Sequence, residues 1–142
     1  MTTGRILHLE DEPEWREHVK DALGEDFELH SAKNVEEAAS LFLDMANNNQ
    51  KFDLAIIDIS LVLNDSSDKK GFKFIDALEE YGVMEGHNII ILSGYSSVDD
   101  NQRVAFRDYS VVDVFHKDKF VEEMARFKQT VTDTIKKTKH QD

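Results

Sequence analysis

Four short apolar runs, each ending abruptly in polar groups, constrain the fold of this 142-residue chain more than any other feature. Ile6-Leu7-His8-Leu9 runs into Glu10-Asp11-Glu12, and Leu54-Ala55-Ile56-Ile57 runs into Asp58. Ile89-Ile90-Ile91-Leu92 runs into Ser93-Gly94, and Val111-Val112-Asp113-Val114-Phe115 runs into His116-Lys117. Apolar runs this short, rich in β-branched residues and closed by polar punctuation, read as buried strands. Carboxylates, a hydroxyl and an ammonium at their carboxyl ends fall where open α/β sheets bind ligands.

Between the strands the hydrophobic period changes to that of a helix. Pro13 is the chain's lone proline and suits a first helical turn, where its missing N–H is not needed. The first strand is therefore expected near Arg5–Glu10 and the first helix near Pro13–Leu23, with Trp15, Val19, Ala22 and Leu23 on one face and Gly24 as the stop. Phe27-Glu28-Leu29-His30-Ser31 alternates, as an exposed strand near a sheet edge does. Asn34 followed by Glu37 opens a second helix carrying Val35, Ala38, Ala39, Leu41, Phe42 and Met45, which ends in Asn47-Asn48-Asn49-Gln50. The third strand spans Asp53–Asp58, and the polar stretch from Ser60 to Lys70 after it is long for an α/β connection.

Gly71 to Gly82 brackets a third helix with Phe74, Ile75, Leu78 and Tyr81 on its buried face. A fourth strand at Asn88–Ser93, a fourth helix near Val98–Tyr109 and a fifth strand at Val112–His116 follow. The fifth helix, from near Lys119 to Lys137, carries Phe120, Met124, Phe127, Val131 and Ile135 as its stripe. Five β-α repeats predict a parallel sheet with helices on both faces. Glu10, Asp11, Asp58, Ser93 and Lys117 then converge on one rim.

Composition narrows the chemistry. Without cysteine there is no disulfide framework, thiolate nucleophile or Cys-zinc site. A formal net charge of −12 argues against a nucleic-acid or anionic-membrane partner. The apolar runs are too short to span a bilayer, and Met1-Thr2-Thr3-Gly4-Arg5 is not a signal-peptide core, so the expected location is cytoplasmic. The histidines show no paired metal-ligand spacing; His8, inside the first strand, and Trp15, in the first helix, read as packing residues.

Adjacent carboxylates with open positions suit a hard divalent ion such as Mg2+. Such an ion offsets the repulsion between Asp58 and a phosphoryl donor, and a carboxylate is a known covalent nucleophile. Lys117 and Ser93 supply charged and neutral donors for the phosphoryl oxygens. Each residue alone is as ordinary as a turn or a solvated side chain; together, each after a different strand at one rim, they form a pattern.

Over its whole length the sequence resembles a response-regulator receiver domain. Ile6 to Pro13, Asp53 to Asp58, Ile90 to Gly94 and Val114 to Lys117 carry the resemblance. It implies a flavodoxin-like, doubly wound five-stranded parallel sheet of order 2-1-3-4-5 with five helices, as a single domain over 1–142. It implies Asp58 as phospho-acceptor and Mg2+ (or Mn2+) as cofactor. Asp11 would be the direct metal ligand, Glu10 would act mainly through water, and Ser60 would give a backbone carbonyl. Ser93 would be the switch hydroxyl and Lys117 the phosphoryl-binding lysine. Ser60 and Tyr95 stand where the family tunes phosphate lifetime.

The implied partners are a histidine kinase or histidine phosphotransfer protein and a downstream protein, with self-association expected through helix four, strand five and helix five. Tyr109, Phe115 and Phe120 are the candidate contact aromatics there, and core packing explains them equally well. With the fifth helix taking up the remaining sequence, output is expected through protein contacts.

Three positions depart from the family pattern. Val114 stands where a tyrosine or phenylalanine is usual, Asp118 follows the lysine in place of proline, and the segment after Asp58 is longer and lacks its proline. Val114 gives weight to a second reading, an interaction module that works without phosphorylation. A phosphatase of the aspartyl-phosphate type fits less well because Ser60 stands where a second acid is wanted. A flavin site is disfavoured because Glu10-Asp11-Glu12 would repel a phosphate.

Overall fold

The computed structural model describes residues 4–50, 52–58, 89–93 and 111–139. Within them the order is β1 (Gly4–Leu9), α1 (Pro13–Leu23), β2 (Phe27–Ala32), α2 (Val35–Asn47), β3 (Leu54–Ile57), β4 (Ile89–Ser93), β5 (Val111–His116) and α3 (Phe120–Lys139). The five strands form one parallel sheet in the order β2-β1-β3-β4-β5. Three α-helices fall among the described residues, not five; the helices expected at 71–82 and 98–109 lie outside them, as do Ser60, Tyr95 and Tyr109. The helix expected as the fifth is α3.

Local chemistry sets the helix ends. Pro13 occupies the first turn of α1, and Gly24 closes it at φ 72°, a left-handed value that glycine adopts without strain. Asn34 caps α2: its side-chain oxygen accepts the Glu37 N–H at 2.8 Å. Asn49, just past α2, takes φ 58°, which asparagine tolerates better than most residues.

Register pairs place Ile6 beside Leu54 and Ile56 beside both His8 and Ile90. Ile6, Leu54, Ile56, Ile90 and Leu92 form one buried cluster with Val19 and Leu23 of α1 and Phe120, Phe127, Val131 and Ile135 of α3. This face is therefore closed by α1 and α3. Full burial of a side chain such as Phe127 is worth about 1.5–3 kcal/mol. Leu7, Leu9, Ala55, Ile57 and Ile91 alternate with these and are buried on the other face, while α2 lies against β1 and β2.

A register shift lies between Ile89 and Ile90, beyond which Ile91 pairs with Val114 and Leu92 with Phe115. Phe115 thus joins the α1–α3 face and Val114 the opposite one. Phe115 and Phe120 are buried in the core, so of the two readings core packing holds and the contact surface does not, and Phe120 keeps its place in the helix stripe: their rings stack edge-on around Phe127 at 5.1 Å. Met124 departs from the expected buried stripe of α3. It is exposed along a groove with Ala22 and Val121 where α1 and α3 meet.

Candidate functional site at the carboxyl rim

Ladder hydrogen bonds carry two acids one residue beyond their strands. The Glu10 N–H donates to the Ala32 carbonyl at 2.8 Å, and the Asp58 N–H donates to the Leu9 carbonyl at 3.0 Å. Both side chains are held at the rim and taken out of water: Glu10 is 0% exposed and Asp58 3%. Asp11 turns outward and is exposed. Carboxylate oxygens of Glu10, Asp11 and Asp58 all lie within 4.8 Å of one another.

Lys117 arrives from the 3-10 turn Lys117–Lys119 that links β5 to α3. Its side chain is only 10% exposed. Nζ donates to Asp58 Oδ2 at 3.0 Å and lies 2.8 Å from Glu10 Oε1, with Glu12 Oε2 at 3.6 Å. The Glu10 contact is a close ion pair to a fully buried carboxylate. Burial pushes the Glu10 carboxyl up to about 7; Lys117 opposes this and the Asp58 charge adds to it. Burial disfavours the Lys117 ammonium, but its contacts with Glu10 and Asp58 outweigh that and raise its pKa above the usual value.

The donor set fits a hard divalent cation: three carboxylates, two buried and one facing solvent, with no nitrogen or sulfur ligand among them. Asp58 and Glu10 would give buried oxygens and Asp11 an exposed one. The rim thus combines two buried carboxylates, a candidate cation locus and an ammonium within hydrogen-bond reach of Asp58, groups that can hold a divalent cation and an anionic ligand.

Glu10, Asp11, Asp58 and Lys117, named from sequence, are brought together as expected. Ser93 ends β4 opposite His116, so its backbone reaches the same rim. Sequence reasoning missed Arg16. From α1 its Nη1 donates to the carbonyls of Glu10 at 2.9 Å and Asp11 at 3.2 Å, clamping the acidic turn. Its position one turn into a helix that starts at Pro13 was the available signal, but any solvated arginine shares that spacing. Trp15, read as a packing residue, does pack on the core, and its ring also faces Lys117. His8 is buried, its Nδ1 without a hydrogen-bond partner among the described residues, and burial, aided by Lys117, lowers its pKa to about 4. No described helix is long and apolar enough to cross a membrane.

No protein-family model and no curated protein sequence matches the chain. Solved structures do. A signal receiver domain of a two-component signal-transduction histidine kinase from Clostridium thermocellum superposes with a TM-score of 0.71 at 20% identity, covering 94% of this chain and 98% of that one. A response regulator receiver domain protein from the same organism gives 0.71 at 20% identity, covering 96% and 97%. The receiver domain of a signal transduction histidine kinase from Syntrophus aciditrophicus gives 0.70 at 22% identity, covering 98% and 95%. The strand order, the rim and these likenesses agree: the chain has the fold of response-regulator receiver domains.

Proposed function

We propose that the chain is a phospho-accepting receiver of a two-component or phosphorelay system. One observation carries this reading: the buried Glu10–Lys117–Asp58 constellation, with Asp11 beside it, at the carboxyl rim. In the proposed reaction an Asp58 carboxylate oxygen attacks phosphorus as the phosphorus–nitrogen bond to a donor phosphohistidine breaks. The imidazole leaves, and Asp58 becomes an aspartyl phosphate. Lys117 exchanges its bond to Asp58 for the transferred phosphoryl oxygens, a charge-assisted contact.

Mg2+ or Mn2+ held by Glu10, Asp11 and Asp58 would supply charge that offsets repulsion between carboxylate and phosphoryl group. The resemblance adds a Ser60 backbone carbonyl to that set, Ser93 as switch hydroxyl, and Ser60 and Tyr95 as residues that tune hydrolysis. The donor would be a histidine kinase or phosphotransfer protein. Residues 1–142 would act as one cytoplasmic domain signalling through protein contacts, with self-association through the expected fourth helix, β5 and α3.

Val114 favours a second reading, a receiver-fold interaction module that works without phosphorylation. It stands in β5 where the family pattern has an aromatic ring. Intact mass after incubation with acetyl phosphate, with and without Mg2+, separates the two. The proposal expects one Mg2+-dependent phosphoryl adduct that Asp58→Asn abolishes. Confirmed Mg2+ binding with no adduct, from acetyl phosphate or from a histidine-kinase donor, selects the interaction module.

A further inference from the structure

Helix α1 places the face of Trp15 over the site. Lys117 Nζ lies 5.2 Å from the centroid of the Trp15 ring, within the range of a cation–π contact. The ring is braced edge-on by His18 at 5.1 Å and by Phe120 at 5.5 Å. Its orientation is therefore set by two neighbours and not by Lys117 alone. Packing against the core needs only apolar bulk at this position, whereas an electron-rich face toward an ammonium needs an aromatic ring.

The acids give this face its use. Lys117 Nζ sits 2.8 Å from Glu10 Oε1 and 3.0 Å from Asp58 Oδ2, and the same two carboxylates belong to the cluster suited to a divalent cation. Ammonium and cation draw on the same two carboxylates. A cation in the cluster repels Lys117 from them, and among the described residues the groups that can receive it are Glu12, at 3.6 Å, and the Trp15 face. Glu12 is exposed, and a solvated carboxylate holds an ammonium weakly.

We infer that Trp15 is a positioning residue for Lys117: its ring face keeps the ammonium beside Asp58 when a divalent cation takes the carboxylates. The inference rests on the proposed reading of Asp58 as phospho-acceptor. It gives the site a cation–π retainer contributed by the first helix, so that Lys117 loosens its contacts with the carboxylates without being lost to solvent.

Trp15 is the chain's single tryptophan, so its emission reports this contact directly. Mg2+ is titrated into the wild type and into Lys117→Met, with binding read independently from thermal stabilisation. The expected result is a saturable emission change in the wild type that is largely absent from a Lys117→Met chain still stabilised by Mg2+. The second arm measures the initial rate of phosphoryl uptake from acetyl phosphate at saturating Mg2+. Trp15→Leu should be slower by about five- to thirtyfold with unchanged Mg2+ affinity, and Trp15→Phe should recover most of the rate.

Equal rates for Trp15→Leu and wild type overturn the inference. So does a Trp15→Phe chain as slow as Trp15→Leu, which would make the role one of bulk, or an emission change that persists in Lys117→Met. Should Trp15→Leu not fold, Trp15→Phe and the native-tryptophan titration decide. A wild type that takes up no phosphoryl group refutes the acceptor reading; the emission arm then judges Trp15 separately, and Mg2+ binding without an emission change overturns its role.

Discussion

Replacing Lys117 with methionine keeps most of the stem's volume and removes the ammonium from between two buried acids. Glu10 and Asp58 then face each other across at most 4.8 Å. At an effective dielectric of about 20, two unit charges at that separation repel by about 3.5 kcal/mol. Losing one partner of a buried pair costs about 3–5 kcal/mol by general experience, so about 3 kcal/mol is expected near pH 8. The loss must depend on pH.

The Glu10 carboxyl is raised to about 7 from an ordinary 4.5, chiefly by burial. A raised carboxyl contributes stability below its unfolded pKa and loses it as pH rises through the folded one. Near pH 5 Glu10 already carries a proton, the repulsion is gone, and the cost of the substitution should fall to about 1 kcal/mol. Urea denaturation of both chains in EDTA at the two pH values measures this. Added Mg2+ should stabilise the variant more than the wild type near pH 8, because the ammonium no longer shares the two carboxylates with the cation. A destabilisation equal at both pH values, or a larger Mg2+ gain in the wild type, refutes the reasoning.

His8 should show the opposite linkage: its pKa is lowered to about 4 by burial, so its contribution is full above 6.5 and lost as pH falls toward 4. The span corresponds to about 3 kcal/mol, and the difference between wild type and His8→Leu across that window in urea titrations isolates it from the opposing Glu10 term. A Cβ added at Gly4 would meet Ile135 Cγ2 at 2.8 Å and Cδ1 at 3.1 Å, so Gly4→Ala should cost about 1–3 kcal/mol in denaturant melts, and less than that in an Ile135→Ala background, which lacks both atoms. Asn34→Ala should cost about 1 kcal/mol through the lost cap on Glu37 N–H, with Asn34→Ser close to wild type by the same measurement.

Much of the fold was legible because its signals are local. The β1, β3, β4 and β5 runs are apolar and short, and the caps Gly24 and Asn34 act within one turn, so element positions agree with expectation to a residue or two. Parallel pairing followed from the β-α alternation, and the rim followed from parallel pairing, since such a sheet gathers its carboxyl ends on one side. Glu10, Asp11, Asp58 and Lys117 could therefore be named before any contact was known.

What those residues do to one another depended on tertiary structure. Lys117 has a long, rotatable stem, and sequence spacing cannot choose between solvent and the Glu10–Asp58 pair; the docking of β5 beside β4 and the turn into α3 made that choice. Trp15 was an ordinary residue of an amphipathic helix until α1 settled against α3, bringing an indole over the ammonium, and Arg16 until the turn before its own helix folded its carbonyls toward the guanidinium. The same packing buried Phe115 and Phe120 and left Met124 along an open groove, although α3 spacing alone put Met124 in the stripe. Periodicity assigns a residue to a face, but the neighbouring element decides whether that face is covered.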